Sequence, residues 1–151
     1  MFSKEFVTNI EIEAPAERVW KVLTDLDSFP QWNPMIRWAK GEVRPGVRLT
    51  VRFQPEGTRG YTFTPKLLVV EPNRQLRWLG YPRIPKLIDT EHYWNLERLT
   101  SEKTLLRHGA VIYGWLTPVS WKIFEKSSRV PFEQMNRAHK QRAELKQAAR
   151  L

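Results

Sequence analysis

The residues of this chain with the greatest chemical capacity are its three histidines, His92, His108 and His139, with polar neighbours on predicted strands. A buried histidine can serve as a general base near neutral pH. Arg107 could hold a carboxylate or stabilise an enolate-like oxyanion, which an aldol-type cyclisation requires. The candidate catalytic residues are therefore His92, Arg107, His108 and Tyr61, provided that they share one apolar space.

These polar residues also have a plainer explanation, because hydrogen-bonded structural histidines greatly outnumber catalytic ones. The sequence contains no convincing set of nucleophile, base and orienting group. Its histidines lack the spacing of a helical metal motif, and it has no cysteine. We therefore expect no metal site and no disulfide.

A second set of candidates is aromatic. The chain has seven tryptophans, and aromatic walls with a few polar tips suit flat apolar ligands. Ordinary core filling would use the same residue types. The candidate ligand contacts are Trp32, Phe53, Tyr61, Phe63, Trp78, His92, Trp94, Met135 and His139.

The first element that positions these side chains is an N-terminal strand, helix and turn. A strand is predicted within residues 2–13, and Pro15 then suits the first turn of a helix. The apolar stripe of that helix has three-to-four spacing, with Val19, Trp20, Leu23 and Leu26. Pro30 and Pro34 stiffen the turn that follows, so Trp32 is held on a rigid connection.

Alternating residues predict a series of antiparallel strands after this turn. Val47 to Phe53 alternates cleanly, Tyr61 to Val70 continues the pattern, and Glu71 to Arg74 forms a hairpin turn. His92, Trp94 and Leu96 share one face of a later strand. The strand 104–113 is apolar on both faces, so its register leaves open whether Arg107 or His108 faces inward.

A C-terminal helix, roughly Pro118 to Ala149, is predicted to cover the concave side of this sheet. Phe132, Met135 and His139 lie on one face of it. Pro131 predicts a kink or break near residues 129 and 130.

Size and charge bound the remaining possibilities. A chain of 151 residues predicts one domain spanning 1–151, and the absence of an apolar leader or membrane span predicts a cytoplasmic protein. The net charge of +9 would suit an anionic partner. No nucleic-acid motif accompanies this charge, so we expect a solvated basic surface and no binding of nucleic acid. Membrane contact is compatible with the charge but is not expected. The oligomeric state stays open.

The segment VWKVLTDLDSFPQWNPMI, residues 19–36, is similar to a signature of the SRPBCC superfamily, which includes START domains, birch-pollen-allergen-like proteins and polyketide cyclases. The order of elements and the segments LRWLG, HYWNLE and FEQMNRAHKQRAE also resemble it. The resemblance implies an α+β helix-grip fold. In this fold a curved antiparallel β-sheet wraps around a long C-terminal α-helix, and two short helices follow the first strand.

The resemblance further implies a cavity between sheet and helix for a hydrophobic small molecule such as a lipid, polyketide or aromatic compound, without a cofactor. The alternative is a cyclase, aromatase or hydratase that uses His92 and Arg107 in that cavity. A collapsed interior, with no void beyond a few waters, would rule the binding function out. Two departures stand out: Arg107 and Gly109 occupy positions where relatives often carry histidine and glutamate, and His139 replaces a usual leucine.

A proline-bearing loop, residues 80–87, is a candidate for closing the mouth of the cavity, with Tyr81, Ile84 and Leu87 as its apolar residues. The alternative is an ordinary long hairpin connection.

Overall fold

The structure, a computed structural model, describes residues 2–80 and 86–148, with side chains as far as residue 145. The candidate gating residues Tyr81 and Ile84 therefore lie outside the described residues. Leu87, the third apolar residue of that loop, is half-buried.

The N-terminal unit forms as the sequence predicts. Strand β1 (Ser3–Ile12) leads into helix α1 (Ala16–Thr24), a 3-10 turn follows, and a single-turn helix α2 (Phe29–Trp32) ends at the proline-flanked segment. The Asn33 side-chain oxygen accepts hydrogen bonds from the backbone N–H groups of Met35 and Ile36, each at 2.9 Å. This asparagine therefore turns the chain out of α2, which explains its place between tryptophan and proline.

Two antiparallel sheets make up the rest of the β structure. The first has the order β2-β3-β4 and the second the order β1-β8-β7-β6-β5. Their strands are β2 (Ile36–Lys40), β3 (Thr50–Phe53), β4 (Tyr61–Phe63), β5 (Lys66–Glu71), β6 (Gln75–Gly80), β7 (Asp89–Thr100) and β8 (Lys103–Tyr113).

The run from Tyr61 to Val70 is split between the two sheets, which the alternation did not predict. The sheets are nevertheless joined by backbone hydrogen bonds, from Leu49 N–H to the Pro65 carbonyl at 2.9 Å and from Leu67 N–H to the Val47 carbonyl at 2.8 Å. The strands therefore form one curved surface with its apolar side inward, as the helix-grip fold requires.

Helix α3 (Thr117–Ala148) packs mainly on β1, with further contacts to α1 and β8, and closes the concave side. Of the kink or break predicted at Pro131, the break is wrong, because the helix continues through this residue. Pro131 deprives the Ser127 carbonyl of its helical donor, but Ser127 is exposed and water can replace that donor. No helix among the described residues is long and apolar enough to cross a bilayer.

Candidate functional site

A small cavity lies between helix α3, the turn after α1 and the inner faces of strands β5 to β7. Its lining is mostly apolar or aromatic. Apart from the indole N–H groups of the tryptophans, the polar groups come from Asn33, Asn136 and His139. The room for the centres of water-sized molecules is about 10 Å³, which corresponds to roughly one water. A cavity therefore lies between sheet and helix as the resemblance implies, but lining side chains fill it, and its size is the outcome that counts against binding in the structure as it stands.

Five of the predicted contact residues surround this cavity: Trp32, Trp78, Trp94, Met135 and His139. The indole N–H of Trp32 is buried without a hydrogen-bond partner among the described residues. Its ring lies 5.3 Å from the ring of His139, centroid to centroid. Whether these side chains contact a ligand stays a prediction.

Tyr61 does not point into this interior. Phe53, Tyr61 and Phe63 instead form an aromatic row that leads to Trp78, with successive ring centroids 5.4, 5.7 and 6.1 Å apart. Tyr61 is 57% exposed, because β4 lies at the edge of its sheet. Its predicted convergence with His92 is therefore wrong, and the row forms a wall outside the cavity lining.

His92 and His108 form a hydrogen-bonded pair behind Trp78 and Trp94. Their Nε2 atoms are 2.6 Å apart, and their rings are within 7° of parallel with centroids 4.8 Å apart. The two Nε2 atoms are much closer together than the two ring centroids, so the nitrogens lie between the rings. The rings therefore meet edge to edge, close to one plane, rather than face to face.

Trp94 and Phe132 cover the two faces of this histidine layer. Trp94 lies 4.4 Å from His92 and 5.0 Å from His108, within 14° of parallel. Phe132 lies 4.7 and 4.3 Å from the same rings, within 6° of parallel. Two rings this close cannot share a face, so the four side chains form a three-layer sandwich.

Burial keeps the two histidines of the sandwich, and His139 beside the cavity, neutral. Desolvation lowers the pKa of His108 to about 3, and it holds the pKa of His92 well below its usual range, with His108 adding to the effect. His139 donates from Nε2 to the Val19 carbonyl at 2.9 Å, and burial lowers its pKa to about 4. The histidines therefore act as neutral donors and acceptors at pH 7.

Two polar residues that were not among the sequence-based candidates join this pair to the rest of the core. The Asn136 side-chain oxygen lies 2.7 Å from His108 Nδ1, and its Nδ2 donates to the Thr8 hydroxyl at 2.7 Å. The Thr8 hydroxyl donates in turn to the His108 carbonyl at 2.7 Å. A signal was present, because Thr8 alternates with buried Phe6 and Asn136 adjoins the apolar stripe of α3.

The geometry is that of a neutral acid–base pair beside an apolar cavity. The described residues contain no cluster of three or more histidine or carboxylate side chains that could hold a metal ion. The model of the family described as polyketide cyclase / dehydrase and lipid transport matches residues 3–143. The chain belongs to this family. The match confirms the SRPBCC resemblance.

Solved structures that are similar to this chain show the same fold. A START superfamily protein from Mycobacterium smegmatis is 21% identical, with 93% of this chain and 97% of that chain covered and a TM-score of 0.75. The di-domain ARO/CYC protein StfQ from the steffimycin biosynthetic pathway is 13% identical, with 97% of this chain and 52% of that chain covered and a TM-score of 0.77.

A third related structure is norcoclaurine synthase from Thalictrum flavum in complex with dopamine and hydroxybenzaldehyde. It is 14% identical, with 93% of this chain and 86% of that chain covered and a TM-score of 0.70. No curated protein matches the chain significantly in sequence.

Within this family member, the question of Arg107 against His108 has a clear answer. His108 is fully buried, whereas the Arg107 side chain is 44% exposed and pairs with Glu97 at 2.8 Å. The interpretation of Arg107 as an oxyanion-binding residue inside the cavity is therefore wrong. Adjacent residues of a strand face opposite sides, so placing one inward necessarily turns the other outward.

We predict that Arg107→Ala changes the free energy of unfolding by less than about 1 kcal/mol, because exposed ion pairs contribute little. It should also leave the binding of any interior ligand unchanged. Urea unfolding and ligand titration of the variant check this, with Glu97→Ala as the matched control for the pair. A loss of binding confined to the Arg107 variant would contradict the outward placement.

Proposed function

We propose that the protein binds a hydrophobic small molecule, a lipid, polyketide or aromatic compound, in the cavity between the sheet and α3. Family membership supports a ligand of this class, and a distant fold neighbour holds two small aromatic molecules. The observation that carries the proposal is the buried, unpartnered indole N–H of Trp32 in a largely apolar lining. An apolar ligand with one acceptor oxygen would satisfy that donor, which otherwise costs about 1–3 kcal/mol.

The closed structure holds about one water and so fails the test for binding stated above, which means that the proposal requires the cavity to widen. Two lining residues are suited to move. Val43 is half-buried and lies on the irregular connection between β2 and β3, and Met135 has a flexible unbranched side chain. A ligand that favours the open arrangement would shift the population toward it.

The direct test is native mass spectrometry of the protein purified from its own host, followed by extraction and identification of any bound molecule. The expected result is a mass increment that disappears on denaturation and corresponds to an apolar compound. Protein that carries no ligand, and that binds none from a lipid or polyketide extract of the host, would contradict the proposal.

Filling the cavity provides a prediction that does not require the natural ligand. Val43→Trp places a large ring in the lining, so we expect it to weaken binding of an apolar fluorescent probe at least tenfold. Val70→Trp is the matched control, because Val70 is also half-buried against the same core but does not line the cavity. Equal affinity of the two variants in a fluorescence titration would place the probe elsewhere.

The paired histidines favour a second candidate function, which is proton transfer in a cyclase, aromatase or hydratase-type reaction with His92 as base. Tyr61 and Arg107 do not take part in this version, since both point outward. Unchanged turnover of an identified substrate by His92→Ala would rule it out.

A further inference from the structure

We propose that Nδ1 of His92 is an acceptor site for the hydroxyl group of a phenolic or enolic ligand, and that Thr8, Asn136 and His108 are positioning residues that keep this nitrogen unprotonated. The inference rests on the proposed binding function, because the ligand must enter beside the histidine pair. It adds the chemical class of the ligand and the atom that recognises it.

The direction of the hydrogen bonds begins at Thr8. A carbonyl oxygen only accepts, so the single hydroxyl proton of Thr8 goes to the His108 carbonyl. The Thr8 oxygen is then the acceptor for Asn136, and only an amide nitrogen can donate to it. This orients the amide group and turns the Asn136 side-chain oxygen toward His108.

The same logic assigns the protons on both imidazoles. Because the Asn136 oxygen accepts, Nδ1 of neutral His108 carries the proton and its Nε2 has a free lone pair. The 2.6 Å contact between the two Nε2 atoms then requires His92 to donate from Nε2. Neutral His92 therefore has its lone pair on Nδ1, and a protonated Nδ1 would require a charged ring in a desolvated layer.

The position of this lone pair suits a ligand. The two nitrogens of an imidazole lie on nearly opposite sides of the ring, so Nδ1 points away from His108 and from β8. It has no hydrogen-bond partner among the described residues, and His92 is half-buried, unlike His108. Trp78 meets the His92 ring edge to face at 5.5 Å and also lines the cavity, so widening the cavity at Trp78 would expose this nitrogen to a ligand.

The chemistry of the acceptor defines the ligand class. A neutral imidazole nitrogen accepts from an O–H group, and phenols and enols combine such a donor with a flat apolar body that suits the surrounding rings. With a sufficiently acidic ligand the O–H bond breaks and the Nδ1–H bond forms, while the oxygen keeps the electron pair. The product is an oxyanion beside an imidazolium, and the atoms and charges balance without a further reactant.

Nitrogen-15 NMR of the histidine rings in the wild-type protein at pH 7 tests the proton assignment without any ligand. We expect the Nδ1–H tautomer for His108 and the Nε2–H tautomer for His92. His139 is an internal reference, because its donation to the Val19 carbonyl also requires the Nε2–H form. A His92 ring with its proton on Nδ1, or a charged ring at pH 7, would overturn the inference by itself.

A pair of probes with the same shape tests the acceptor role. 4-Methylphenol has a hydroxyl group that stays protonated at pH 7, and 4-methylanisole replaces its proton with a methyl group. We expect wild-type protein to bind the phenol about tenfold more tightly, which corresponds to one hydrogen bond of about 1.4 kcal/mol. His92→Phe keeps a flat ring in the sandwich, and it should bind both probes alike.

The positioning role is tested by Thr8→Val, which removes the hydroxyl with little change in shape. We expect the variant to show mixed His92 tautomers by NMR and to lose most of the preference for the phenol. If Thr8→Val keeps both the wild-type tautomer of His92 and the wild-type preference for the phenol, the role of Thr8 is overturned. If neither probe binds the wild type, the acceptor site for a phenolic ligand is overturned even when the tautomers are as expected, whereas the proposed binding function fails only if the protein also binds nothing from the host extract.

Discussion

Acidification from pH 6.5 toward pH 4 is expected to unfold this protein, with the free energy of unfolding falling by up to about 4 kcal/mol per pH unit. The three histidines cause the effect. His108 and His139 are fully buried and His92 is half-buried, and none of the three has a carboxylate within ion-pairing distance among the described residues.

The sign follows from the pKa values of the two states. In the unfolded chain a histidine has a pKa near its ordinary value of about 6.5. In the folded protein, desolvation lowers the pKa of His139 to about 4 and that of His108 to about 3, and it lowers that of His92 as well. The unfolded state therefore binds more protons below pH 6.5, so stability is complete above that pH and is lost as the pH falls.

Urea unfolding at several pH values between 7 and 5 measures this slope. His139→Leu is the control, since it removes one buried histidine, and it should reduce the histidine contribution to the slope by about one third. The stability of the variant minus that of wild type should therefore rise as the pH falls from 7 to 5. Parallel pH profiles for the two proteins would contradict neutral burial of His139.

Phe132→Ala is expected to lower the free energy of unfolding by about 3–5 kcal/mol, the usual range for truncating a buried phenylalanine. Phe132 is only 8% exposed, and it covers one face of the histidine layer. It also meets Phe6 edge to face at 5.2 Å, so it joins helix α3 to strand β1. The substitution removes these contacts and leaves a cavity between helix and sheet.

Chemical denaturation of Phe132→Ala and wild type at pH 7 measures the loss. Phe2→Ala is the matched control, because Phe2 is 53% exposed and its truncation should change stability by less than about 0.5 kcal/mol. A similar small effect for Phe132 would show that the helix does not depend on this contact and would contradict the sandwich.

The fold was predictable because local patterns carry it. Periodicity of 3.6 marked α1 and α3, alternation marked most strands, and Glu71 to Arg74 formed the predicted hairpin turn. The helix continues through Pro131 against expectation, since water can serve the carbonyl that the proline leaves without a donor. Pro65 lies where the run from Tyr61 to Val70 divides between two sheets, a break that alternation alone did not reveal.

The candidate site was less predictable, because it depends on contacts between distant segments. The sequence named His92 and His108 as candidates but left the register of β8 open, and pairing with β7 and β1 turns His108 inward. Thr8 and Asn136 are 128 positions apart in the chain, so no local pattern could join them. For Tyr61 the local pattern was misleading. The alternation of the strand predicted that Tyr61 faces inward, but β4 lies at the edge of its sheet and leaves this side chain exposed.

Local sequence was thus sufficient for the family, the helix-grip architecture and the set of aromatic and histidine candidates, because periodicity and turn chemistry act over a few residues. The closing of the cavity, the outward direction of Arg107 and the joining of Thr8, Asn136, His108 and His92 depended on the folded chain. Strand register and side-chain packing are set by long-range contacts, and a shift of one residue reverses which side chains face the interior.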